Sequence, residues 1–157
     1  MKLYFKQRFF SWFDSYDIYD YDTGDVVYTV EGQLAWGHCL HILDADGRHI
    51  ATVKQRVLTF LPRFDLYLEE DLVGTITKAF TFFRPAFEVD CNGWQVEGDF
   101  FEWDYRITDR SGGLVATVSK ELWNWTDTYT IDVVNGRDAL CALMVVLAID
   151  AEKCSRD

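Results

Sequence analysis

Proline is nearly missing from this chain of 157 residues, with two in all, and glycine numbers only ten. Disordered and low-complexity chains are rich in both, so the composition excludes them and points to a packed fold. Positive charge is scarce as well. Fifteen Lys and Arg stand against 26 Asp and Glu, a formal net charge of −11. Nucleic acid is held through clustered Lys and Arg, so no nucleic-acid partner is expected. Broad adhesion to anionic membranes is opposed on the same ground.

Cysteine is sparse and unpatterned. Cys39, Cys91, Cys141 and Cys154 form no CxxC pair. All four read as reduced thiols, which suits a cytoplasmic protein. The opening "MKLYFKQRFF" has Lys6 and Arg8 breaking its apolar character, so it does not read as a signal peptide. No apolar run approaches the roughly 20 residues of a membrane span. The longest, Ala139 to Ile149 within "ALCALMVVLAIDA", is eleven residues without charge or strong polarity. That length fits a buried helix. Asn135 is placed to cap its start, with Asp138 in the first turn and Lys153 near the far end. A helix apolar all round must be surrounded all round.

What the chain does have is aromatic residues, 17% of the total, and a repeat. "ILDADGRHIATVKQ" (42–55) matches "ITDRSGGLVATVSK" (107–120), and the offset of 65 holds to Leu66 and Ile131. "VEG" at 30–32 recurs at 96–98, and "FFSWFDSYDIYD" (9–20) is echoed by "FTFFRPAFEVD" (80–90). We read one domain over 1–157, made of related halves at about 1–70 and 71–134 and a helix over about 136–153.

Within each half, alternating residues flank Gly- and Asp-bearing turns. About twelve strands result, near 2–6, 15–20, 26–31, 38–43, 49–56, 64–69, 72–78, 86–91, 94–98, 103–108, 114–120 and 127–134. No amphipathic helix separates them, so neighbours should pair antiparallel in a meander. Closure into a barrel would remove the edges. Twelve strands about 4.8 Å apart and tilted about 40° give a radius of roughly 12 Å, too wide for wall side chains alone to fill. A helix roughly 10–12 Å across fits that space. The expected fold is mostly β: a closed twelve-stranded antiparallel barrel around its own C-terminal helix. An open sandwich with the helix on one side is the rival.

The ordered stretches "KQRFFSWFDSYDIYD", "YTVEGQ", "HILDADGRHIATVKQ", "FLPRFDLYL", "FTFFRPAFEVD", "WQVEGDFF" and "LMVVLAIDA" resemble the LURP-one-related family. The resemblance implies a fold like the tubby C-terminal domain, twelve strands around a hydrophobic helix, with a distant relation to phospholipid scramblases. It implies no established activity. Tubby domains are phosphoinositide-binding modules, from which the acidity of this chain departs.

Sites follow by exclusion. "GHCLH" gathers His38, Cys39 and His41, with His49 after the next turn, but residues three apart on a strand face opposite ways. No metal site and no cofactor are expected. Asp20, Asp22, Asp25, Asp44 and Asp46 read as hairpin-turn residues rather than a calcium loop. There is no GxSxG elbow, and "SGG" (111–113) falls in a turn rather than before a helix. Glu69 and Glu70 fall at a hairpin tip. A plugged lumen also removes the usual catalytic cavity, so no enzyme is expected.

The aromatic pairs Phe10/Trp12, Leu58/Phe60, Phe80/Phe82 and Trp123/Trp125 occupy similar places in the repeats. Core packing is the favoured reading, with a stacking or membrane-dipping surface as its alternative. Residues 47–64 hold Arg48, Lys54, Arg56 and Arg63 and no acid. An anionic-ligand site is therefore expected at Lys54, Arg56, Arg63, Lys78 and Arg84, weighed against solvated outer-wall charges. The function expected is a non-catalytic cytoplasmic binding module for an anionic group such as a phospholipid headgroup. A protein-partner scaffold is the alternative, and an unrecognised enzyme the distant one.

Overall fold

The computed structural model describes residues 1–6, 15–80, 85–90, 92–100, 102–123 and 126–154. Twelve strands run in chain order: β1 (Lys2–Lys6), β2 (Ser15–Asp20), β3 (Val26–Gly32), β4 (Cys39–Asp44), β5 (His49–Gln55), β6 (Arg63–Leu68), β7 (Asp71–Phe80), β8 (Pro85–Val89), β9 (Trp94–Asp99), β10 (Asp104–Thr108), β11 (Leu114–Trp123) and β12 (Thr126–Val133). Each pairs antiparallel with its sequence neighbours, and β1 closes the ring on β12. At that seam Leu3 lies opposite Ile131, both fully buried. The Met1 carbonyl also accepts the Val133 amide at 2.8 Å. Closure leaves no unpaired edge.

Strand alternation decides which residues fill the lumen. On β9 Trp94 and Val96 turn inward while Gln95 and Glu97 face out; on β10 Tyr105 and Ile107 turn inward. The repeat is geometrical as well as sequential. Ile42 and Ile107, Ala51 and Ala116, Val53 and Val118, Phe64 and Tyr129, Leu66 and Ile131 are all buried at matching places. Pairing shifts register after Ile42 in one half and after Ile107 in the other. The turn that follows is also reproduced. Asp44 accepts the Asp46 and Arg48 amides at 2.9 Å each, and Asp109 accepts those of Ser111 and Gly113 at 2.8 and 2.9 Å. Gly47 and Gly112 supply positive φ, 79° and 83°, that an L side chain resists.

After β12, Asn135 accepts the Arg137 amide and caps a single 3-10 turn, Gly136–Asp138. The α-helix α1 (Ala139–Cys154) follows, so the cap read at Asn135 serves the short turn rather than the α-helix itself. Residues 142–149 of α1 are buried without interruption. The helix threads the barrel and lies nearest β5, β11 and β12. Ala51 and Ala116 are the small wall residues on two of those strands. Phe87, Phe100 and Tyr105 cluster in the core, with Phe100 centred 5.1 Å from each of the other rings.

Candidate functional site

The cations singled out in the sequence separate by strand parity. Ala51 and Val53 point into the barrel, so Lys54 points out; Phe64 and Leu66 point in, so Arg63 and Asp65 point out. Lys54 stands opposite Asp65 across the β5–β6 pairing, and the Arg56 amide donates to the Arg63 carbonyl at 2.9 Å. These three cations thus form one outer-wall ledge at a barrel end. Arg56 Nε donates to Asp65 Oδ2 at 2.7 Å, and the Thr75 hydroxyl donates to the other oxygen at 3.2 Å. Lys54 and Arg63 have no ion-pair partner among the described residues.

Lys78 does not join them. It shares the inner face of β7 with Ile76 and is 4% exposed, so its place in an outer patch is corrected. Its Nζ donates to Glu152 Oε1 on α1 at 3.0 Å and lies 5.9 Å from the Phe87 ring centre. Arg84 falls outside the described residues.

Beside the ledge is an apolar feature that the sequence assigned largely to the core. Leu58 and Phe60, in the turn between β5 and β6, are fully exposed. Core packing is therefore overturned for this pair. Trp12, Phe10, Phe82 and Trp125, and the side chains of Phe80 and Trp123, lie outside what is described. The adjoining turn between β3 and β4 presents Leu34 and Trp36, the latter 90% exposed. The two turns are fastened together. Gln55 N–H donates to the His38 carbonyl at 2.7 Å, and the Gln55 side-chain oxygen accepts the His38 amide at 3.1 Å. Gly37 sits so close that a Cβ there would come 2.9 Å from Val57 Cγ1. Leu58 holds φ at 62°, an unfavourable conformation for a leucine in a solvent-facing turn. Leu34 and Trp36 went unread as a surface; "QLAWGH", an apolar stretch ending at a glycine between two strands, was the available signal.

Inside the same barrel end lies a second polar group. Burial pushes the Asp150 carboxyl up to about 6, with Lys153 opposing. The Tyr105 hydroxyl is buried without a hydrogen-bond partner among the described residues, and burial together with Asp150 raises its pKa well above the usual value. Lys153 Nζ lies 4.5 Å from the Trp103 ring centre.

The remaining candidates read as structural. His41 and His49 lie with ring centres 4.5 Å apart and planes tilted by 39° on the outer wall, and His49 Nε2 is 2.8 Å from Thr52 Oγ1. Burial lowers the pKa of His41, and His49 lowers it further. No group of three or more potential metal ligands occurs among the described residues. Asp20 accepts the amides of Asp22 and Thr23, a turn role like that of Asp44. Glu69 and Glu70 are exposed and line a shallow depression with His49 and Asp71.

A family model described as LURP-one-related matches residues 1–150. The chain belongs to the LURP-one-related family. The Bacillus subtilis protein YxjI is 28% identical over 151 residues, covering 96% of this chain and 92% of that one. An X-ray structure of an Arabidopsis thaliana protein superposes with a TM-score of 0.63 at 17% identity, covering 96% of this chain and 90% of the other. That likeness shows that the fold of this chain extends to distant sequences. Family and fold support a binding-module kind of role, and neither is known for catalysis. No helix among the described residues is long and apolar enough to cross a membrane.

Proposed function

We propose that this LURP-one-related barrel is a non-catalytic binding module that recognises an anionic group, of the kind a phospholipid headgroup carries, on the ledge formed by Lys54, Arg56 and Arg63. The observation that carries this reading is the convergence of three cations on adjacent strands with one carboxylate, Asp65, among them. Asp65 orients Arg56 through a charge-assisted bond, which leaves Lys54 and Arg63 to meet an incoming anion. The lumen supports the non-catalytic part, since α1 occupies the space in which a barrel enzyme would enclose its substrate.

Vesicle flotation at physiological salt tests the reading. The protein should float with phosphatidylcholine vesicles that contain phosphatidylglycerol or phosphoinositide. Lys54→Glu with Arg63→Glu should cut the bound fraction severalfold while sparing the Arg56–Asp65 pair. Equal flotation of that variant would reject the ledge. A protein partner captured equally by both forms, with no flotation of either, would favour the scaffold reading.

A further inference from the structure

The ledge alone does not explain why its neighbouring turns present leucine, tryptophan and phenylalanine to water. We infer that the protein docks onto an anionic lipid bilayer by one quadrant of this barrel end, with Trp36, Leu58 and Phe60 entering the membrane interface and Lys54 and Arg63 at headgroup level. The inference deepens the headgroup reading and rests on it for the choice of an anionic surface.

Three observations converge. Leu34, Trp36, Leu58 and Phe60 are 87, 90, 103 and 100% exposed, so these side chains protrude rather than pack. Two aromatic rings alone offer about 300–500 Å² of surface. That is already the size of the largest apolar patch on a typical monomer, and such patches mark interaction sites. A preformed protein interface requires a complementary shape around each projecting ring. A fluid acyl boundary closes around any shape, and tryptophan and phenylalanine beside cations are what such a boundary favours.

The second observation is how the tips are held. Gly37 against Val57 and the paired hydrogen bonds of Gln55 and His38 lock two turns side by side. Leu58 keeps a left-handed backbone angle that is costly for a leucine to maintain, although asparagine or glycine there would relieve it. Stability gains nothing from a solvent-facing leucine at such a position.

The third is where the negative charge sits. Exposed Asp22, Asp25, Asp46, Glu69, Glu70 and Asp71 all belong to the opposite end of the barrel. Tilted strands of this length put the two ends roughly 15–20 Å apart, about two Debye lengths at physiological salt. Those six carboxylates are therefore largely screened from a surface that touches the β3–β6 quadrant. Exposed Asp99, Glu102 and Asp104 sit at the docking end on the β9–β10 side, so one quadrant makes contact rather than the whole mouth.

The test uses the full chain and vesicles of phosphatidylcholine with phosphatidylglycerol, brominated in their acyl chains. Bound protein should lose tryptophan fluorescence, and Trp36→Phe should lose much less. Leu58→Asn with Phe60→Ser should weaken partition about tenfold or more without lowering the unfolding midpoint. Inositol hexakisphosphate, a soluble polyanion, separates the two readings. Its binding should survive the apolar substitutions and fall with Lys54→Glu and Arg63→Glu. Undiminished partition of Leu58→Asn/Phe60→Ser, or no vesicle binding by the unaltered protein, overturns the docking. So does a concentration-dependent dimer that those substitutions dissolve, which would give the surface to a second copy. Loss of polyanion binding in the apolar variants also counts against it. Vesicle binding that persists with no polyanion binding defeats the headgroup reading and leaves the docking standing.

Discussion

Asp150 is a carboxylate on an otherwise apolar plug, and its proton follows its surroundings. With a folded pKa of about 6 against an ordinary 3.8, the native protein holds a proton there that the unfolded chain has released. Between about pH 4 and 6 the native state binds more protons, so this residue's contribution to stability falls as pH rises. Asp150→Asn should therefore raise stability at neutral pH, by on the order of 1–3 kcal/mol. It should flatten the pH dependence of the urea midpoint across that window. A midpoint that drops at neutral pH would show instead that the ionised carboxylate is needed. Lys78 and Glu152 nearby follow another rule: as a buried ion pair, each offsets part of the other's desolvation cost.

At the scale of elements, the β5–β6 hairpin divides into a part that holds the fold and a part that does not. Leu66 is fully buried in the core, while Leu58 in the same hairpin is fully exposed. Leu66→Ala should cost about 2–5 kcal/mol, whereas Leu58→Asn should be neutral or gain up to about 1 kcal/mol by easing its φ. Chemical denaturation of the two variants gives the comparison, and a substantial loss from Leu58→Asn would place that leucine in the structure. This hairpin also shows what the sequence could disclose. Alternation and the offset of 65 made the strands legible, because pleat and turn chemistry are local. The outward placement of Lys54 and Arg63 was legible for the same reason. Lys78 was misread although "TITK" places it two residues after Ile76, on the same face. Charge was allowed to outweigh period. Leu58 and Phe60 also keep an alternating spacing, but beyond Gln55 the chain has left the sheet, where period no longer implies burial. The adjacency of the 33–38 turn depends on register across β4 and β5, which no short motif encodes.

For the whole molecule, α1 and the sheet define each other. Among the described residues the wall has no second layer to pack against, and the helix has no face to offer water between residues 142 and 149. Val146→Asp should thus do more than weaken one contact. A lone charge inside the lumen costs several kcal/mol, a large part of what a domain of this size commands. We expect loss of the cooperative thermal transition together with exposure of apolar surface to a hydrophobic dye. A folded, cooperative variant would mean that water reaches the lumen.

The seam between β1 and β12 joins strands separated by almost the entire chain. A ribosome delivers β1 first and β12 more than a hundred residues later, with the plug emerging after both. During synthesis the growing sheet therefore has two open edges and an unfilled greasy concavity. Contacts this distant in sequence slow folding, and exposed strands invite aggregation meanwhile. A chain built in this order needs shelter until its last helix arrives.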